Sequence, residues 1–110
     1  MKRKHPTITK GEIHLIPFPF TDTTSSKLRP CVVIGCDRID AIVVFITSIK
    51  PKDAVYLEVT ATKENGLKAT SYIRYTKIAT LDTALSLGQI GTLEATTYKK
   101  LTEVITDFIS

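Results

Sequence analysis

The sequence predicts a mainly β fold with an α cap: a small, strongly bent sheet or barrel closed by one helix at the C-terminal end. Three observations predict it. Dense β-branched runs such as CVVIG and AIVVFITS recur at short spacing, separated by polar turns. The apolar period changes near Glu94, where Tyr98, Leu101, Ile105 and Phe108 begin to follow the stripe of an amphipathic helix. The chain has 110 residues, which is enough for one modest core and leaves oligomerisation as a welcome source of stability.

Residues 1–10, MKRKHPTITK, show no apolar period and read as a basic, flexible tail, with a single domain over 11–110. GEIHLIPF alternates as a strand, with Ile13 and Leu15 on one face and Glu12, His14 and Ile16 on the other. His14 reads as a solvated residue of the outer face. FPFTDTTSSKLRP has two prolines and a Thr/Ser cluster and reads as a long loop from Phe18 to Pro30. Phe18 and Phe20 read there as packing under the loop, with base stacking as the other use. Pro30 then opens the strand CVVIG, CDRID turns, and AIVVFITS returns, so these two strands form a hairpin.

IKPKD is the next turn, centred on Pro51. AVYLEV alternates as a half-buried strand, and ATKENGL turns at Asn65–Gly66. SYIRY and KIATLD read as two further short strands, and TALSLGQIG has room for one helical turn. In the final helix Val104 and Ile109 widen the apolar stripe, while Lys99, Lys100, Glu103 and Asp107 lie off it.

The composition excludes several classes. No apolar run is long enough for a membrane helix, and the basic N-terminus lacks the apolar stretch of a secretory signal, so the expected compartment is the cytoplasm. The two cysteines, Cys31 and Cys36, are separated by an odd offset, which places them on opposite faces of a strand. Two reduced thiols, at least one of them buried, are therefore expected. With two histidines, no metal-spaced motif and no Gly-rich phosphate loop, no metal or cofactor is expected.

Polar chemistry gathers in three places: Lys27-Leu28-Arg29-Pro30, Thr47-Ser48 with Lys50, and Thr70-Ser71-Tyr72-Ile73-Arg74. The predicted hairpin brings Arg29–Pro30 near Thr47–Ser48. A permanently charged fork of donors beside two hydroxyls suits a phosphate. The same residues also fit a plainer account, in which Arg29 is a solvated loop residue and Thr47 and Ser48 satisfy turn backbone.

Taken together, GEIHLIPFPFTDTTSSKLRPCVVIG, then VVFITS, then Gly66-Leu67 with Ser71, then KIATLD and LGQIGTL resemble the MazF/PemK family, the toxin halves of type II toxin–antitoxin modules. The resemblance runs from about Gly11 to the C-terminal helix. It implies an SH3-like β-barrel of the MazF/CcdB type with a C-terminal helix, acting as a homodimer. It also implies a metal-independent endoribonuclease that cuts single-stranded RNA, mRNA in particular, leaving a 2′,3′-cyclic phosphate and a 5′-hydroxyl and so inhibiting growth. The family's catalytic arginine falls on Arg29 and its threonine on Thr47, and its serine near the RNA path falls on Ser71. Lys27, Lys50 and Arg74 would contact phosphates and Phe20 and Thr21 bases, and Pro30 and Ser48 would also bind RNA beside the catalytic pair.

The chain departs from the family at several points. The PemK/Kid branch has an aspartate two residues after the arginine matched by Arg74; Thr76 stands there instead. The Glu and His found in the long loop of other members are missing from TDTTSSKLRP. The base for the 2′-hydroxyl is unassigned, and His14 occupies a position that is normally aliphatic. The resemblance implies an acidic, partly disordered antitoxin as partner. A CcdB-like gyrase poison is the alternative from another class, but the chain has no tryptophan and ends DFIS, whereas such poisons use a tryptophan-led tail. A catalytically degenerate member that only binds RNA or antitoxin is the third reading.

The formal charge of +4 says little about the body. Lys2, Arg3 and Lys4 hold three of the 15 Lys+Arg, leaving 12 against 11 Asp+Glu over residues 5–110.

Overall fold

β-Branched side chains pack well on a pleated surface and poorly on a helix, so each Val/Ile run becomes a strand. In a computed structural model, residues 5–18 and 27–110 are described. They form β1 (Glu12–Phe18), β2 (Lys27–Cys36), β3 (Asp40–Thr47), β4 (Leu57–Val59), β5 (Ser71–Asp82), a 3₁₀ turn (Thr83–Leu85), β6 (Gln89–Thr92) and α1 (Ala95–Ile109). The six strands make one curled antiparallel sheet in the order β4-β5-β3-β2-β1-β6, a half-barrel with a C-terminal helix.

The sheet buries both faces. On one side Ile13, Val32, Val44, Ile46, Val59 and Ile73 pack with Leu93 and with Leu101 and Ile105 of α1. On the other, Ile16, Cys31, Val33, Val43 and Phe45 pack with Ile8 from the N-terminal segment. The part of the expected tail that is described therefore lies against the sheet. The Cys36 thiol donates to the Ile8 carbonyl at 3.1 Å, and His5 pairs with Asp82 at 3.2 Å. Both cysteines are free, Cys31 buried and Cys36 exposed.

The elements depart from the sequence reading in three ways. β2 begins at Lys27, before the expected Pro30, because Lys27–Pro30 pair with Leu15–Phe18 of β1. Pairing of β2 with β3 starts at Cys31, just past Pro30, whose nitrogen has no proton to give a neighbour. The strand expected over AVYLEV shrinks to Leu57–Val59, an edge strand. SYIRY and KIATLD are one strand, β5, with a break in register: Val44 pairs with Ile78, but the next residue, Phe45, pairs with Arg74.

The edge strand β6 is covered. Asn65 is fully buried, and its Oδ1 accepts from the amides of Thr62 and Leu67 while Nδ2 donates to the Thr60 carbonyl. Gly66 follows at φ +69, in a left-handed conformation that an L side chain resists, and a Cβ there would strike the Ile90 carbonyl. The Thr92 amide then donates to the Glu64 carbonyl at 2.8 Å, so β6 is hydrogen-bonded on both sides. No helix among the described residues is long and apolar enough to cross a membrane.

Candidate functional site

In an antiparallel sheet, residues directly opposite share a face, and so do residues two apart on one strand. This lattice brings polar side chains together on the face opposite α1. Glu58 of β4 is opposite Tyr72 of β5, and Tyr72 is opposite Thr47 of β3. Continuing the β2–β3 register past the Cys31–Phe45 pair sets Arg29 level with Thr47, and Arg29 is opposite Ile16 of β1. One row across the sheet therefore reads Glu58, Tyr72, Thr47, Arg29, Ile16. The next row reads Arg74, Phe45, Cys31, His14, with Tyr56 reaching the Arg74 level if the β4 register is continued.

The two rows differ in character. Arg29, Thr47, Tyr72 and Arg74 are half-buried. Phe45 and Cys31 are buried and form an apolar floor between the two arginines. Burial pushes the Cys31 thiol up to about 12, so it is neutral and adds no charge to the face. Thr47 Oγ1 accepts from the Ile49 amide at 3.1 Å, which fixes the hydroxyl and leaves its proton for another acceptor. The buried Nε of Arg74 has no hydrogen-bond partner among the described residues. Two guanidinium groups and a held hydroxyl, over a floor that excludes water, can bind an anion and stabilise charge that grows on it.

The other residues expected at the site divide. Ser48 and Lys50 are exposed just past β3. Lys27 opens β2, and its side chain lies outside the described residues, as do Phe20 and Thr21 entirely. Pro30 is opposite Leu15 and faces the helix side. Ser71 is also on that side, opposite the buried Val59, and its hydroxyl donates to the Ala69 carbonyl at 2.9 Å. The lattice does not bring Ser71 to Arg29 and Thr47. Thr76 lies within the register break of β5.

His14 is not on a solvated face: it is 5% exposed. Its Nε2 lies 2.9 Å from Glu12 Oε1 and its Nδ1 2.7 Å from Ser86 Oγ. A carboxylate only accepts, so Nε2 carries the proton, and in the neutral ring Nδ1 accepts from Ser86. With both nitrogens engaged and the ring buried, His14 ties β1 to the segment before β6 and has no free nitrogen for proton abstraction.

Sequence reasoning missed Glu58 and Tyr56, and it named Tyr72 only as part of the Thr70–Arg74 segment. The alternation of Tyr72 with Arg74 was a usable signal, because residues two apart share a face, but the partner strands of β5 are distant in sequence. Among the described residues no group of three or more His, Cys, Asp or Glu side chains could hold a metal ion.

The sequence matches the family described as PemK-like, MazF-like toxin of type II toxin–antitoxin system over residues 9–109. No curated protein matches it significantly. Among solved structures it is similar to an endoribonuclease in complex with its cognate antitoxin from a mycobacterial species. That match has a TM-score of 0.71 and 13% identity, covering 92% of this chain and 93% of that one. It is also similar to the Mycobacterium tuberculosis toxin MazF-mt6, with a TM-score of 0.69 and 24% identity, covering 87% and 93%. At these identities the likeness is one of fold.

Proposed function

Since this chain belongs to the PemK-like, MazF-like toxin family of type II toxin–antitoxin systems, we propose that it is a metal-independent endoribonuclease acting on single-stranded RNA. Toxins of this family are generally endoribonucleases. What carries the reading to named residues is the β2–β3 register, which, continued from the Cys31–Phe45 pair, sets Arg29 level with Thr47, one row from Arg74.

In the proposed reaction the ribose 2′-oxygen attacks the adjacent phosphorus. The O2′–P bond forms and the P–O5′ bond breaks, leaving a 2′,3′-cyclic phosphate and a 5′-hydroxyl. The 2′-hydroxyl gives up its proton to solvent water and the leaving 5′-oxygen takes one from water, so the protons balance. Negative charge grows on the nonbridging oxygens. Arg29 and the Thr47 hydroxyl accelerate the step by binding that charge more tightly in the transition state than in the ground state. Arginine stays protonated throughout, so Arg29 is assigned charge stabilisation on the nonbridging oxygens and a hydrogen bond to the leaving 5′-oxygen. Arg74 holds the neighbouring phosphate, and Lys27, Ser48 and Lys50 extend the phosphate path along the strand ends.

The antitoxin of the solved mycobacterial complex supports a second part of the proposal. The toxin is held inactive by an acidic antitoxin segment that neutralises the same cationic face, and a homodimer forms the RNA groove.

The test is cleavage of single-stranded RNA in EDTA, with product ends mapped. The wild-type protein is expected to yield cyclic-phosphate ends. Arg29→Ala and Thr47→Ala are each expected to lose about 10²–10³ in rate while keeping the fold. Full activity in both variants overturns the assignment of the site.

A further inference from the structure

Tyr72 lies between Thr47 and Glu58 in the same row, one strand from the hydroxyl assigned to the phosphate. Neighbouring strands are only ~4.8 Å apart. Its ring is not loose: Tyr56 meets it at a centroid distance of 5.2 Å and an interplanar angle of 86°, an edge-to-face contact. Both tyrosines are half-buried, so each is held by packing and still has surface to offer. The row then ends in Glu58, which is exposed and carries a charge of the wrong sign for a phosphate. The cationic end of the row holds Arg29; the opposite end holds an aromatic step and a carboxylate.

We infer that Tyr72, braced by Tyr56, is a base-stacking subsite for a nucleotide flanking the phosphate bound at Arg29 and Thr47. The inference rests on the endoribonuclease reading above and adds a base-binding residue to it. An unstacked base presents a flat π face that an oriented aromatic ring binds without regard to sequence. The carboxylate of Glu58 at the rim repels the RNA backbone and accepts from amino or imino groups at a base edge. That favours bases with donors, such as the N4 amino group of cytosine. The polarity of the row thus orients the nucleotide: phosphate toward Arg29, base toward Tyr72.

The experiment first maps cuts in a long mixed-sequence RNA. It then uses an oligonucleotide spanning the strongest cut, with a 2′-deoxy residue at the attacking ribose so that it binds without reacting. Matched oligonucleotides carry an abasic residue on either side of the cut. Wild-type and Tyr72→Phe proteins are expected to bind the parent alike. Tyr72→Ala and Tyr72→Leu are expected to bind about ten- to hundredfold more weakly. One abasic oligonucleotide is expected to cost wild type a similar factor and to cost Tyr72→Ala little, since the base and the ring act as one contact. Wild-type binding that is indifferent to both abasic residues overturns the inference, as does a full abasic penalty in Tyr72→Leu. A protein that cuts RNA while ignoring Tyr72 sinks this subsite alone. A wild type that neither cuts nor binds RNA sinks the endoribonuclease reading with it.

Discussion

Cys31 lies in the same row as Arg74, one row from Arg29, and its chemistry is suppressed by burial. The thiol is raised from 9.0 to about 12, so at neutral pH it is neither nucleophile nor charge. Cys36 is exposed. Iodoacetamide at pH 8 should therefore label Cys36 and spare Cys31 until the protein unfolds, as peptide mapping would show. The raised value also fixes a pH dependence. Above 9.0 the unfolded chain releases this proton and the folded one retains it, so stability falls as pH rises through the window from 9.0 to about 12. Unfolding free energies from urea denaturation of wild type should fall faster over pH 9–11 than those of Cys31→Ala, the difference in slope approaching about 1.4 kcal/mol per pH unit. At this scale Arg29 and Thr47 were legible because their motifs are local. Ser71 and His14 were not, since a residue's face depends on a partner strand far away in sequence. Ser71 turned out to be opposite Val59 on the helix side, and His14 is closed in by Ser86.

Two glycines show how an element is locked by backbone contact. Gly91 of β6 passes so near the Asn65 carbonyl that a Cβ would strike it, and Gly66 makes the reciprocal approach to Ile90. Gly91→Ala has no flexible side chain to displace, only backbone, and should cost about 1–3 kcal/mol in urea denaturation. The helix is held differently. Leu101 is fully buried in the core between α1 and the sheet, and Leu101→Ala should cost about 2–5 kcal/mol by the same measurement. The helix was the most legible element, because its apolar stripe is local: the start expected near Glu94 matches α1, which begins at Ala95. Phe108 lies on the stripe and is nonetheless 56% exposed, with Tyr75 meeting it edge-on at 6.4 Å. β5 was read as two strands because its alternation loses phase in the middle, which is where its register with β3 breaks.

For the whole molecule, charge separates attraction from choice. Residues 1–4 contribute three of the four net positive charges. Deleting Lys2, Arg3 and Lys4 should weaken RNA binding uniformly across sequences. It should also reduce the slope of log affinity against log salt by at most about 2, while the mapped cut sites stay unchanged. A shift in cut sites would show that the basic N-terminus takes part in choosing the sequence. The curled sheet with one helix was foreseeable from the strand spacing, but the break in β5 was not, and it governs how the fold can change. Arg74 and Ile78 are four apart and would share a face in a regular strand, yet they pair with the adjacent residues Phe45 and Val44, which do not. The break acts as a phase slip that lets the two ends of β5 keep opposite parities. Length changes elsewhere in a strand invert every side chain beyond them. Here the slip can absorb an odd residue, so a change of one residue between Arg74 and Ile78 leaves Arg74 aligned with Phe45.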